Sequence, residues 1–255
     1  MKAALSHRKG IPFFSSKTEK DFRADPYERY DEVVLRQVAV HYADALWGRN
    51  PMQALHDFAE AYYPKLDPEN IMELGCGVGH WTGLLANRFP KSNCWGLDYS
   101  YQMLKTANDF LVLGKDMSID LSKKGFEEQL LLQGKKIPNL HFGLCDAAEL
   151  PCADKSQDLI LHSFLFDRLE RPMESLNEIR RVLRSKGRMI MFNPLNFKQA
   201  EDWKQFHPAS KLQTLLGGMG FNILAWKEGL VVDEPLDARG NVIRWNCLAA
   251  VMEKI

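Results

Sequence analysis

The chain reads as an α/β protein: a doubly wound, mostly parallel seven-stranded sheet with an antiparallel terminal hairpin and a helical lid at the N-terminus. Three observations predict it. Short apolar runs bounded by Gly, Pro or Asp alternate with stretches whose apolar residues recur at helical spacing, the pattern of a sheet covered by helices. The last two runs, 221–226 and 246–252, have no helical stretch between them, so they close the sheet as a hairpin. Between the first run and the first helix after it stands a glycine turn, Gly75-Cys76-Gly77-Val78-Gly79, where a backbone free of Cβ atoms can turn sharply and approach a bound molecule.

Length and composition narrow the class. A chain of 255 residues can bury a substantial core, and we expect a leader and helical lid over 1–66 ahead of a larger domain over 67–255. Lys+Arg and Asp+Glu both number 33, and the isoelectric point is about 7.0. That balance argues against a surface built to hold polyanions, so no nucleic-acid partner is expected. The five cysteines (Cys76, Cys94, Cys145, Cys152 and Cys247) are odd in number and contain no C-x-x-C pair, as in a cytoplasmic protein with reduced thiols. Ser6-His7-Arg8-Lys9-Gly10 interrupts the only apolar start, and no stretch approaches membrane-spanning length, so neither a signal peptide nor a membrane partner is expected. A monomer or homodimer suits such a chain. No H-E-x-x-H and no Cys/His cluster indicates a metal.

Taken in order, residues 1–24 are basic and polar without period and read as a mobile leader, with Phe13-Phe14 tucked against the body. Asp25-Pro26 starts a helix whose stripe Tyr30, Val34, Val38, Tyr42 and Leu46 ends at Gly48. Asn50-Pro51 starts a second helix, with Leu55, Phe58, Ala59 and Tyr62 inward and Pro64 closing it. Tyr27 and Tyr30 are candidate acceptor contacts and Tyr30 a candidate catalytic group, with plain helix packing as the competing reading.

Asn70–Leu74 is the first strand, and Trp81, Leu84, Leu85 and Phe89 mark the helix after the glycine turn. Cys94-Trp95-Gly96-Leu97-Asp98 is the second strand and ends in an acid about twenty residues beyond the glycines, where a ribose diol would lie. Ser100 caps the next helix, which carries Met103, Leu104, Ala107 and Phe110. Residues 114–138 are an insertion, expected to be part helix and part loop. Strands follow at 139–144, Gln157–Ser163 and 189–192, with helices from Pro172 and over 211–216.

The glycine spacing is neither the dinucleotide G-x-G-x-x-G nor a Walker loop. Together, however, Glu73-Leu74-Gly75-Cys76-Gly77-Val78-Gly79, then Gly96-Leu97-Asp98-Tyr99-Ser100, Cys145-Asp146-Ala147-Ala148-Glu149-Leu150-Pro151 and Gln157-Asp158-Leu159-Ile160-Leu161-His162-Ser163 resemble the successive motifs of class I S-adenosylmethionine-dependent methyltransferases of the type 11 kind. That resemblance implies a Rossmann-like fold, S-adenosylmethionine as cofactor and a small-molecule methyl acceptor. The rivals are a methyltransferase acting on RNA or protein and a binding protein that keeps the cofactor without catalysis. The resemblance implies that Glu73, Gly75, Cys76, Gly77 and Gly79 line the methionine and ribose portion. It also implies that Asp98 accepts from the ribose hydroxyls, that Tyr99 and Met103 flank the adenine, and that Asp146 and Ala147 read its edge.

His162 and Asp167, at and after the end of the fourth strand, are candidates for cofactor contact (His162) and for a general base (both), should the acceptor arrive protonated. Near the C-terminus, Pro235-x-x-x-Arg239 shortly before Trp245 is similar, at a shorter spacing, to the end of the mercaptohistidine-methylating domains of ovothiol synthesis. Arg239, Arg244 and Trp245 are on that ground candidate acceptor contacts, able to hold a carboxylate and a ring.

Overall fold

The computed structural model describes residues 1–29, 31–127 and 129–255. Its central sheet has nine strands, not seven. The N-terminal pair β1 (Ser6–Arg8) and β2 (Ile11–Phe13) comes first in the chain. It is followed by β3 (Asn70–Leu74), β4 (Asn93–Asp98), a separate ribbon of β5 (Met117–Ile119) and β6 (Leu130–Leu132), then β7 (Leu140–Leu144) and β8 (Gln157–Ser163). The last three are β9 (Leu183–Asn193), β10 (Phe221–Pro235) and β11 (Val242–Lys254). The order across the sheet is β1-β2-β7-β4-β3-β8-β9-β11-β10, and the five strands from β7 to β9 are mutually parallel. From β3 the chain steps one way to β4 and β7, then returns to β8 on the other side. That reversal opens a crevice above the carboxyl ends of β3 and β8, the place where such sheets hold ligands.

The central strands are apolar throughout because both faces are covered. Ile71, Leu159, Leu161 and Ile190 face one core with Trp81 and Leu85 of α6 (His80–Arg88), together with Leu55 of α5 (Gln53–Glu60). Met72, Leu74, Ile160, Met189 and Met191 face the other, with Leu176 and Ile179 of α8 (Pro172–Val182). Ser100 caps α7 (Tyr101–Leu111) through the Met103 N–H, as its sequence position predicts.

The N-terminal residues differ most from expectation. Residues 6–13 form a hairpin that extends the sheet, pairing Phe13 with Leu144, instead of a mobile leader. Ile11 is buried, and Phe14 meets the Trp95 ring edge-on at 5.9 Å, so apolar anchoring explains the order. After α1 (Glu19–Ala24), the first lid helix covers Pro26–Arg29 (α2) and Asp31–Tyr42 (α3) on either side of Tyr30, which is not among the described residues, and is interrupted at Ala43 before α4 (Asp44–Trp47), which stops at Gly48 with φ +67°. The insertion is the β5–β6 ribbon with one 3₁₀ turn, because Ile119 and Leu121 pack on Val34, Val38 and Met103. An extra helix, α9 (Ala200–Phe206), precedes α10 (Ala209–Gly218). Finally, β10 and β11 run well beyond the last β9 pairing, Leu248 with Asn193. Their free ends therefore project past the carboxyl edge of the sheet as an arm. Among the described residues, no helix is long and apolar enough to cross a membrane.

Candidate active site

The glycine turn is held in a conformation that side chains resist. Gly75 and Gly79 have φ +65° and +79°, and a Cβ there would lie 2.8 Å from Leu165 and 2.7 Å from Phe142. Gly77, with φ +51°, is different: a Cβ there would have no atom within 4 Å, so the middle of the turn borders open space. Its N–H donates to Asp98 Oδ2 at 2.8 Å, and the Ser100 N–H donates to Asp98 Oδ1 at 2.8 Å. The end of β4 is thereby fastened to the turn after β3. Burial raises the Asp98 pKa, and the two N–H donors oppose the rise. Cys76, buried in the turn, donates its N–H to Leu97 O.

Glu73 sits below the turn, 2% exposed, and accepts from the Thr82 hydroxyl of α6. Burial pushes its pKa up to about 8 against that hydrogen bond, so it is largely protonated at neutral pH. Asp146 stands at the same edge as Asp98, since Asp98 pairs with Leu144 and its carbonyl accepts from Cys145 N–H. Its Oδ1 accepts from Ala148 N–H at 2.8 Å, its Oδ2 from Arg171 at 2.7 Å, and its own N–H donates to Ser15 Oγ. Ala147 beside it is half-buried.

A strap over residues 15–28, absent from the sequence reading, lies across these ends. Lys17, with no exposed side-chain surface, donates to Tyr99 O at 2.7 Å, Asp25 at 2.8 Å and Glu28 at 3.0 Å. Its ammonium lies 4.7 Å from the Tyr99 ring centre, and the Tyr99 hydroxyl donates to Ser16 O. The only sequence signal was the Thr18…Asp21 capping box that starts α1. Met103 is buried where the lid and the insertion meet, in one cluster with Val78 of the glycine turn.

The other half of the site is built by β8, the lid and the arm. His162 is in register with Leu74 and Met191, is 1% exposed, and has no partner for either ring nitrogen among the described residues. Burial lowers its pKa to about 4, leaving a neutral imidazole. Asp167 is also buried, but its oxygens accept from the Asn193 amide at 3.2 Å and the Asn196 N–H at 2.8 Å, which ties down the loop after β9. Trp245 points inward from the arm: its indole N–H donates to Glu234 at 2.9 Å and its ring meets Phe164 edge-on at 5.8 Å. Arg36 of α3 binds Glu234 at 2.6 Å and joins lid to arm.

Of the two arginines singled out with Trp245, neither joins it. Arg244 is on the opposite face of β11, exposed and bidentate with Asp233, and Arg239 is exposed at the hairpin turn. The guanidinium beside the indole belongs instead to Arg168, 5.8 Å from the ring centre. Tyr27 borders the same space; its phenol pKa is raised by burial and by the charges of Asp98 and Glu234, and lowered by Arg168. Tyr30 lies outside the described residues.

One cluster had no counterpart in the sequence reading. His80, directly after the glycine turn, is stacked between His41 of α3 and His56 of α5 at 5.2 and 5.1 Å, with the His80 and His56 Nε2 atoms 3.2 Å apart. Two of the ring nitrogens thus meet at hydrogen-bond distance, and no group of three metal ligands exists among the described residues.

A methyltransferase-domain family model matches residues 72–191, the span that carries the glycine turn, Asp98, Asp146 and β8. Over those residues the chain carries a methyltransferase domain of the class I S-adenosylmethionine-dependent kind. It is 32% identical over 122 residues to a malonyl-[acyl-carrier protein] O-methyltransferase of Methylococcus capsulatus, covering 48% of this chain and 36% of that one. It is 26% identical over 168 residues to a demethylmenaquinone methyltransferase of Thermotoga maritima, covering 66% and 58%. The chain thus spans well under two thirds of the length of these relatives. A solved S-adenosylmethionine-dependent methyltransferase of Aquifex aeolicus superposes with a TM-score of 0.55 at 15% identity, over 89% of this chain and all of that one, which shows the shared fold. The family's cofactor suits the crevice observed: a glycine turn open at Gly77 stands beside a carboxylate fastened by two main-chain donors, each oxygen keeping lone pairs for a diol.

Proposed function

We propose that this protein transfers the methyl group of S-adenosylmethionine to a small organic acceptor bound between the lid, the β8 loop and the arm. The observation that carries the reading is the junction of Gly77 and Asp98 above the strand-order reversal, with the Trp245–Glu234–Arg36 wall facing it. In this reading Asp98 takes the ribose hydroxyls, Asp146 and Ala147 the adenine edge, and Glu73 with the turn 75–79 the methionine end. Tyr99 is held over the adenine side by Lys17. The acceptors named for the relatives, malonyl-[acyl-carrier protein] and demethylmenaquinone, support an organic acceptor, and equal numbers of acidic and basic residues disfavour RNA.

The bound cofactor supplies an electrophilic methyl on a sulfonium, displaced in line with a neutral thioether leaving. The protein's own work is therefore alignment and exclusion of water, which can supply most of the acceleration. Where the acceptor carries a proton, His162 is the candidate to receive it only as a weak base, since its nitrogens are unpaired but burial lowers its pKa to about 4; Asp167 is already committed to Asn193 and Asn196. The test is a panel of small acids, amines, phenols and thiols incubated with methyl-labelled cofactor. Label in an acceptor product supports the reading; calorimetric binding of the demethylated cofactor without any transfer across the panel contradicts it.

A further inference from the structure

The cofactor reading leaves the chemistry of the cleft wall unassigned, and the wall is charged in a specific way. Val232 pairs with Trp245 across the arm, and alternation places Glu234 and Trp245 on the same inner face, with Arg244 and Asp233 outside. Glu234 is already matched there by Arg36 at 2.6 Å and by the indole N–H at 2.9 Å. Asp167 approaches Arg168 Nε only to 3.7 Å while its oxygens serve Asn193 and Asn196. Among the described residues, Arg168 therefore has no acceptor at hydrogen-bond distance, although its neighbours' carboxylates are satisfied. Its side chain is 39% accessible, so a solute can reach it. The indole of Trp245 and the ring of Phe164 supply a flat apolar surface next to it. Phe164 holds φ +54° at the carboxyl end of β8, and Leu165 beside it packs on Gly75, so this surface adjoins the glycine turn.

We propose that the acceptor of this enzyme is a small organic acid whose carboxylate is received by Arg168 while its planar or apolar body lies on Trp245 and Phe164. A guanidinium offers a carboxylate two parallel donors, a geometry an amide or amine does not reproduce. An ammonium in the same place would meet Arg168 as a like charge, and Glu234, paired with Arg36, has little charge left to hold it. Arg168 is thus a binding and specificity residue for the acceptor.

This inference rests on the methyltransferase reading, and the experiment separates the two. The full-length protein, saturated with the demethylated cofactor, is titrated by NMR with three matched probes: indole-3-acetate, indole-3-acetamide and tryptamine. The acid is expected to bind at least about tenfold more tightly than the amide, with tryptamine weakest. That preference is expected to vanish in Arg168→Gln and to survive in part in Arg168→Lys, while cofactor affinity in both stays within about twofold of the parent. The retained cofactor affinity shows the variants to be folded. An amide or amine that binds as well as the acid, an acid preference that survives Arg168→Gln, or no binding of the acid at millimolar concentration overturns the assignment while the methyltransferase reading stands. Failure of the parent protein to bind the demethylated cofactor would remove both.

Discussion

The two halves of the crevice are made differently. On the β4–β7 side, the groups lining the crevice are main-chain donors and carboxylates at strand ends, fixed by hydrogen bonds to the glycine turn and to the loops that follow the strands: Gly77 to Asp98, Ser100 to Asp98, Ala148 to Asp146. On the β8 side, the surface is assembled from side chains of three distant segments: Tyr27 and Arg36 of the lid, Arg168 after β8 and Trp245 of the arm. The first half depends on backbone geometry and tolerates little change. The second depends on side-chain identity and can be rebuilt for another acceptor without disturbing the sheet, which is how one fold hosts many activities.

Substitutions should separate the halves. The largest effect is expected from Gly79→Val, which forces a β-branched residue to φ +79° with its Cβ 2.7 Å from Phe142. Strain and overpacking together should cost about 3 kcal/mol or more and abolish cofactor binding, read by thermal melting and calorimetry. Lys17→Met comes next. It strands Asp25 and Glu28 without their buried cation and should lower stability by about 2–3 kcal/mol while speeding cofactor dissociation in stopped-flow. A dissociation rate equal to the parent's would show that the strap does not cover the cofactor. Trp245→Ala should slow methyl transfer about tenfold or more by raising the acceptor KM, with cofactor affinity nearly unchanged; equal loss of both would merge the two halves.

The smallest effect is a pH dependence of stability. Burial holds His41 at about 4, and His56 and His80 are lowered as well, mainly by burial. Between the ordinary value near 6.5 and about 4, the unfolded chain binds more protons than the folded one. The contribution of His41 is therefore complete above about pH 6.5 and is lost as pH falls through 4, and the other two rings act in the same direction. Glu73, raised to about 8, has the opposite sign: its contribution is complete below its ordinary value of 4.5 and is lost as pH rises through 8. Replacing His41 and His56 by Phe should flatten the acid limb of a melting-temperature profile and leave the alkaline limb as it was; an unchanged acid limb would show that the stacked rings do not govern it.

The same contrast explains what the sequence disclosed. Gly75, Gly77, Asp98 and Asp146 stand at strand ends whose apolar runs announce themselves, so their convergence was legible. The arm was legible only in part. Period-two alternation alone puts residues 244 and 245 on opposite faces, so Arg244 could have been separated from Trp245 once the strand was known to begin at Val242 instead of 246. Arg168 follows β8 in a short 3₁₀ turn without period, and nothing local points it at a tryptophan 77 residues later. The N-terminal hairpin was missed because each strand has only three residues, too few for alternation to register; its order comes from Ile11, Phe13 and Phe14 packing on distant partners. His41, His56 and His80 come from three helices, and only tertiary packing stacks them.

The most direct test is a calorimetric titration of the demethylated cofactor into the parent protein, Asp98→Ala and Arg168→Gln side by side. The account predicts micromolar affinity for the parent, a loss of about 100-fold in Asp98→Ala, where a charged partner of the ribose diol is removed, and parent-like affinity in Arg168→Gln. Equal affinity in the parent and Asp98→Ala, or an equal loss in the two variants, would contradict it.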